Sequence, residues 1–192
     1  MGVEQERAIG ELIAGAEAGD ANASAQLFAA LYTELHRMAE AQLRRRGGSL
    51  SLNTTTLLHE AYLDIAGREG VRFPDRARFL GYAARAMHGL VIDYARRARA
   101  AKRGGGAIEI TFIEGDTSEL ARALGDTDLE RLSDVLDELA VLEPDLAQLV
   151  DLHFFCGFSL GEIAELRGVS ERTAQREWRK ARLFLHRALH EA

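Results

Sequence analysis

The stretch GFSLGEIAELRGVSERTAQREWRKARLFL, residues 157–185, decides the fold of the C-terminal part of the chain. Ser159 and Ser170 are suited to cap two successive helices, and Gly168 permits a tight turn between them. Two helices joined by a short turn that contains glycine form a helix-turn-helix. The stretch therefore predicts this motif.

The second helix of the motif is predicted to have one buried side, because Ala174, Trp178, Ala181 and Leu185 recur at helical spacing. Its polar side chains then lie on the opposite side. In such motifs the N-terminal part of the second helix enters the major groove, where Arg and Gln can bind base edges. The candidates for this surface are Arg172, Gln175, Arg176, Arg179, Lys180 and Arg182, of which Lys180 and Arg182 suit phosphates. The alternative is a solvated helix with internal ion pairs.

The charge of the chain is unevenly distributed. The formal net charge is -6. Residues 37–103 nevertheless carry fourteen basic and six acidic side chains, and residues 167–187 carry seven basic and two acidic ones. Residues 104–145 carry twelve acidic and two basic ones. Two basic blocks separated by an acidic block indicate a chain that contacts a polyanion at two places.

The rest of the chain is also predicted to be mainly helical, because Ala, Leu, Arg and Glu dominate and apolar residues recur at three and four. Predicted helices cover 4–18, 22–45, 54–66, 76–102 and 146–155, and helical periodicity returns from Asp128. The only strand-like run, AIEITFI, is too short and isolated to build a sheet. We expect an all-α fold of two small helical domains, residues 1–103 and 128–192, joined by a flexible acidic linker over 104–127.

Several other classes of protein are disfavoured. A single Cys156 cannot form an internal disulfide, and no apolar run has the length of a signal peptide or membrane span, so we expect a cytoplasmic protein without membrane insertion. Leu63 stands where an HExxH zinc site needs its second histidine, and His186 and His190 have no evident third ligand. We therefore expect no enzyme activity, no metal and no cofactor.

Three stretches, in this order and spacing, carry a family resemblance: TTLLHEAYLDI (55–65), FLGYAARAMHGLVIDYARRARAAKRGGG (79–106) and FSLGEIAELRGVSERTAQREWRKARLFL (158–185). They resemble regions 2 and 4 of the extracytoplasmic-function (ECF, group 4) sigma factors of the sigma-70 family. The resemblance covers nearly the whole chain. It implies a sigma factor that directs core RNA polymerase to promoters, with region 2 on the melted -10 strand, region 4 on the -35 duplex and the linker in the RNA-exit path. A plain tether is the alternative for the linker.

The resemblance assigns residues 54–66 to region 2.2, which docks on the clamp helices of the polymerase beta-prime subunit, and it implies a second contact with the beta flap. The candidates for polymerase binding are Leu57, Leu58, His59, Glu60 and Asp64. Packing of Leu57 and Leu58 in the core is the alternative that an amphipathic stripe leaves open.

The loop 67–75 and the helix from Arg76 resemble the part of region 2 that captures the melted -10 element. Binding of a single strand needs cations along its backbone and apolar walls for its bases. The candidates are Arg72, Phe73, Arg76, Arg78, Tyr82, Arg85 and His88, with Arg96, Arg97 and Arg99 along the upstream duplex. The alternatives are core packing for the aromatic residues and a solvated helix end for the last three arginines.

The start of region 2.2 departs from the family pattern. Most relatives carry acidic residues there, whereas this chain has Asn53, Thr54, Thr55 and Thr56. A phosphate would restore negative charge, about -1.5 to -2 each. We therefore hypothesise that a Ser/Thr kinase activates the protein at Thr55 or Thr56. The alternative is that the threonines only cap the helix while Glu60 and Asp64 bind polymerase.

A second function remains open, a stand-alone dimeric helix-turn-helix regulator. It predicts two-fold symmetric operators and DNA binding without polymerase. The basic helix 76–103 favours the sigma-factor interpretation, because a sensor domain does not need it. An anti-sigma factor is a further expected partner of a sigma factor.

Overall fold

A computed structural model describes residues 3–44, 52–68, 72–101 and 129–190. All regular secondary structure in these ranges is helical, which confirms the predicted all-α fold. The N-terminal half contains α1 (Val3–Glu17), α2 (Ala21–Ala30), α3 (Tyr32–Arg44), α4 (Thr54–Ala66) and α5 (Arg76–Ala101). The C-terminal half contains α6 (Leu129–Leu142), α7 (Pro144–Val150), a π-helical turn (Asp151–Phe155), α8 (Leu160–Arg167) and α9 (Glu171–His190).

Residues 22–45, predicted as one helix, form two. Leu31 leaves the helical conformation at φ -102° and ψ 9°, and its amide closes the end of α2 on the carbonyl of Leu27. Neither glycine nor proline marks this break. The break lets α2 pack on α1 while α3 packs on α4 and α5, so tertiary packing overrides a local sequence that favours continuous helix.

The predicted helix 146–155 changes its form partway. It is α-helical from Pro144 to Val150 and then widens into the π-helical turn. Every residue of that turn, including Asp151 and His153, is buried. Such turns are rare and frequently mark functional positions.

The core is continuous through both halves. The long helix α5 packs on α3 and α4 on one side and on α7 and the π-helical turn on the other. Its Phe79, Leu80 and Met87 are almost fully buried in the same apolar cluster as Phe154 and Leu152 of the C-terminal half. The two halves therefore share one hydrophobic core in this structure.

The predicted domain boundaries stay a prediction. The linker 104–127, including the strand-like AIEITFI run, lies outside the described residues. Within the described ranges, no helix combines the length and the apolar character needed to span a bilayer.

Candidate nucleic-acid interface

The helix-turn-helix forms as its sequence predicts. The Ser159 hydroxyl accepts a hydrogen bond from the Glu162 amide at 3.1 Å, and the Glu162 carboxylate accepts one from the Ser159 amide at 2.7 Å. This reciprocal capping box starts α8. Gly168 ends α8 in the left-handed conformation, at φ 64°, and the Ser170 hydroxyl accepts from the Thr173 amide at the start of α9. The capping and turn residues thus fix the angle at which α9 leaves α8.

The predicted buried stripe of α9 is confirmed. Ala174, Trp178, Ala181 and Leu185 are all at most 2% exposed. The Trp178 ring packs edge-on against the His153 ring of the π-helical turn, with centroids 4.6 Å apart. Because α9 is held on the core by this stripe, its other side is turned to solvent.

An ion pair also joins the two helices of the motif. The Arg167 guanidinium lies 2.7 Å from the Glu177 carboxylate, and both side chains are largely buried. Arg167 therefore acts inside the motif, which distinguishes it from the arginines of the outer face.

The outer face of α9 carries the residues predicted for the -35 duplex. Arg172, Arg176, Arg179 and Lys180 are exposed, and Gln175 and Arg182 are half-buried. Gln175 donates to Glu171 at 3.2 Å, and Lys180 lies 2.7 Å from Glu143. The structure thus brings all six predicted side chains onto one helix, where Gln175 and Lys180 have carboxylate partners.

The polymerase-binding candidates on α4 separate into two groups. Leu57 and Leu58 are buried in the core, as the alternative interpretation held. Around the helix from them, the residues Thr55, His59 and Leu63 recur every four positions and are exposed, and Leu63 remains 52% exposed despite its apolar side chain. Asp64 is half-buried and pairs with Arg68 at 3.0 Å. Glu60 is half-buried.

An aromatic cluster occupies the loop side of the N-terminal half. The Phe73 ring packs edge-on against Phe79 and Tyr82, with centroids 5.4 and 5.1 Å apart. Phe73 and Phe79 also line a cavity of about 270 Å³ together with Phe28, Glu17 and Arg68. The cavity is lined by both aromatic and charged side chains, and Arg72, the chain neighbour of Phe73, is exposed.

Two of the predicted -10 residues have partners within the N-terminal half or the core. Arg76 is only 11% exposed and binds Glu34 at 2.7 Å and Glu6 at 3.3 Å. His88 is buried, and its ring lies 4.0 Å from the ring of Phe155. Neither side chain can contact DNA in this arrangement.

Arg78 and Arg85 point toward the C-terminal half. Arg78 pairs with Asp145 on α7. Arg85 pairs with Asp137 on α6 and also lies 3.4 Å from Asp151 in the π-helical turn. Burial raises the pKa of Asp151 to about 7, and the neighbouring Arg85 limits that rise. Further along α5, Arg96 and Arg97 are exposed, while the side chain of Arg99 is outside the description.

The sequence did not predict the carboxylates that pair with Arg78 and Arg85. It also did not predict a second set of residues, polar and buried, that joins the two halves. Gln148 donates to the carbonyl of Ala77 at 2.6 Å, and Gln42 donates to the sulfur of Cys156 at 3.5 Å. A signal was present, because Gln148 and Asp151 interrupt an otherwise apolar run. Polar side chains at buried positions require partners, although the sequence does not name them.

A protein-family model matches nearly the whole chain. The ECF sigma factor family model matches residues 6–191, which include both described halves and the helix-turn-helix. No curated protein matches the chain in the corresponding comparison. The match over nearly the full sequence shows that this chain belongs to the ECF sigma factor family, whose members act with RNA polymerase in transcription initiation.

Proposed function

We propose that the chain directs core RNA polymerase, in the cytoplasm, to a specific set of promoters through two DNA contacts. The observation that carries this proposal is the outer face of α9, where Arg172, Arg176 and Arg179 are exposed opposite the buried Trp178 stripe. In line with the family, that face binds the -35 duplex, and the N-terminal half binds the melted -10 strand.

The chemistry of α9 suits duplex DNA. Arg172, Gln175 and Arg176 lie in the first two turns, the part of a recognition helix that meets base edges. Bidentate bonds from arginine to guanine and from glutamine to adenine discriminate bases by about 1–3 kcal/mol each. Arg179, Lys180 and Arg182 follow further along the helix and suit phosphates.

The N-terminal half offers the features that a single strand requires. The cavity lined by Phe73 has aromatic walls on which an unstacked base can rest, and the exposed Arg72, next to Phe73 in the chain, would contact a backbone phosphate. Tyr82 is half-buried beside Phe73 and extends this apolar surface. Arg78 and Arg85 would add phosphate contacts once they leave their carboxylate partners, and Arg96, Arg97 and Arg99 would follow the upstream duplex.

Core polymerase is proposed to dock on the exposed side of α4, with the beta flap contacting the C-terminal half. The side chains of Thr55, His59 and Leu63 form a continuous exposed stripe, with Glu60 and Asp64 at its margin. This stripe would offer the polymerase an apolar contact at Leu63 and charged contacts at Glu60 and Asp64.

Promoter-dependent transcription tests the proposal. The purified chain, core polymerase of its own host and a genomic DNA library are combined, and transcript starts are mapped by sequencing. We expect new starts that share a pair of upstream elements at fixed spacing. Without such starts, and with two-fold symmetric duplex sites bound by a dimer in the absence of polymerase, the stand-alone regulator would be the correct function.

Two arginine variants make this assay specific for the face of α9. Arg176→Ala removes an exposed cation from the reading face, and Arg187→Ala removes an equally charged, exposed side chain near the end of the same helix. We expect Arg176→Ala to make the free energy of promoter binding less favourable by about 1–3 kcal/mol. We also expect it to relax the sequence preference at one position of the -35 element. Equal effects of the two variants would contradict base reading by α9.

We further propose that phosphorylation by a Ser/Thr kinase strengthens polymerase binding at Thr55 or Thr56. Thr55 is exposed in the first turn of α4, on the same stripe as His59, while Thr56 is half-buried and its amide donates to the Asn53 side chain. A phosphate at a helix N-terminus is also favoured by the helix dipole.

The matched pair Thr55→Asp and Thr55→Asn tests this switch, because the two side chains differ mainly in charge. We expect Thr55→Asp to bind core polymerase several-fold more tightly than Thr55→Asn, as measured by fluorescence anisotropy of labelled chain. A Thr56 pair tests the neighbouring site in the same way. Equal affinities within both pairs would show that the threonines serve only the helix start.

A further inference from the structure

The two halves of the chain meet along one side of α5. Gln148 of α7 inserts beside Gly81, where its amide donates to the Ala77 carbonyl. Gln42 of α3 lies between the Ala84 carbonyl and the Cys156 sulfur, at 2.9 and 3.5 Å. These are buried, directional contacts, so the C-terminal half has a defined seat on the N-terminal half.

Charged pairs surround this seat. Arg78 pairs with Asp145, Arg85 with Asp137 and Asp151, and Arg37 with Glu162 at 2.8 Å. In the first two pairs the cations are residues assigned above to the -10 strand. The carboxylates of α6, α7 and the π-helical turn therefore occupy the positions that DNA phosphates would take on Arg78 and Arg85.

The -35 face lies outside this contact. Arg172, Arg176 and Arg179 are exposed on the far side of α9 while the halves are docked. The same arrangement thus covers part of one proposed DNA surface and leaves the other open.

We propose that the C-terminal half masks the -10 surface of the N-terminal half by presenting carboxylates to Arg78 and Arg85, while the -35 helix stays accessible. The docked chain binds duplex DNA through α9, and capture of the melted strand requires the halves to separate. This inference rests on the proposed function, because it takes Arg78 and Arg85 as strand-binding residues.

A glycine at the contact permits a direct test. A Cβ added at Gly81 would lie 2.6 Å from Cγ of Gln148, whereas a Cβ at Gly89, two turns further along α5, would meet nothing within 4 Å. Gly81→Leu therefore displaces Gln148 from its place at the contact and is expected to separate the halves, and Gly89→Leu changes the same helix with the same residue and no obstruction. Small-angle X-ray scattering of the full chain reports the radius of gyration, and anisotropy reports affinity for random-sequence single-stranded and duplex oligonucleotide pools.

We expect Gly81→Leu to increase the radius of gyration and to raise single-strand affinity about tenfold or more, because apparent affinity scales with the competent fraction. Duplex affinity should change less than about twofold, and Gly89→Leu should match the wild type in all three readouts. If the wild-type chain already has a radius of gyration as large as that of an extended Gly81→Leu chain, the proposed masking is wrong. Separation of the halves without a gain in single-strand binding would instead show that the proposed strand-binding role of Arg78 and Arg85 is wrong.

A reversible lock covers the case in which Gly81→Leu folds poorly. A Cβ built at Gly157 lies 3.7 Å from Cβ of Ala41 in the other half, within the range of disulfides, although the left-handed φ of 74° at Gly157 adds strain to a side chain there. The triple variant Ala41→Cys, Gly157→Cys and Cys156→Ser can be oxidised and reduced in one sample. Weak single-strand binding when oxidised, recovered on reduction, supports the mask. Equal binding in both states, with the disulfide confirmed by mass spectrometry, would overturn it.

Discussion

Individual arginines of the basic block have different roles that the sequence does not separate. Arg72 and Arg76 are both predicted -10 residues, and both follow from the same charge pattern. In the structure Arg72 is exposed, whereas Arg76 is held by Glu34 and Glu6 and is only 11% exposed. The two arginines differ because helices α1 and α3 pack against the start of α5. Such tertiary packing cannot be predicted from the local sequence pattern.

This difference predicts opposite outcomes for two alanine variants. Arg76→Ala leaves two carboxylates without their shared cation and should lower the free energy of unfolding by about 1–3 kcal/mol. Arg72→Ala should change it by less than about 0.5 kcal/mol, as expected for an exposed side chain, but should weaken single-strand binding. Urea unfolding followed by circular dichroism, together with anisotropy, measures both. The assignment of Arg76 to the fold would be contradicted by unchanged stability in its variant.

At the scale of elements, local signals predicted most boundaries. Asn53 caps α4 at its predicted start, and the Ser159 and Ser170 caps frame the helix-turn-helix. The break at Leu31 and the π-helical turn were not predicted, because both depend on the helices that pack against these positions in the fold. The outer face of α9 followed from the period of its buried stripe, so the -35 candidates could be named before the fold was known.

Two glycines of the helix-turn-helix should respond to alanine substitution with opposite changes in the free energy of unfolding. Gly168 has φ 64°, so Gly168→Ala should destabilise the chain by about 1 kcal/mol or more. Gly161 lies inside α8, where the nearest atoms to an added Cβ are 3.9 Å away, and Gly161→Ala should stabilise by about 0.4–1 kcal/mol. Urea unfolding of the two variants provides the comparison. Stabilisation by both alanines would mean that the turn does not need a left-handed residue.

At the scale of the whole molecule, the docking of the two halves was the feature least accessible from sequence. Charge blocks indicated two polyanion-binding surfaces, but not that acidic residues of one half would pair with basic residues of the other. Arg85 and Asp151 are 66 positions apart, and their pairing exists only because α5 and the π-helical turn are neighbours. Local hints were weak: α5 contains both Gly81, which lies against Gln148, and Gly89, which meets nothing, and the sequence does not tell them apart.

The burial of Asp151 at this contact predicts that docking depends on pH. Asp151 faces Arg85 and Asp137, and in the docked chain its pKa is raised to about 7 from the ordinary 3.8, because burial disfavours the charged form. Separation of the halves returns the carboxyl to water and lowers its pKa. The docked form therefore binds the proton more tightly, so acid favours docking, and this advantage is lost as the pH rises from about 4 to about 7.

Scattering between pH 5 and 8 checks this dependence, with Asp151→Asn as the control that keeps the shape and removes the titration. Within the window, one proton can change the docking free energy by at most about 1.4 kcal/mol per pH unit, or about tenfold in the ratio of docked to separated chains. The buried His88 and His153 are present in both proteins, so the difference between the two curves isolates Asp151. We expect the wild type to expand relative to Asp151→Asn as the pH approaches 7 and then to level off. Parallel curves would mean that Asp151 does not titrate with docking, and the halves would then be held by packing, the glutamine hydrogen bonds and the other ion pairs across the contact.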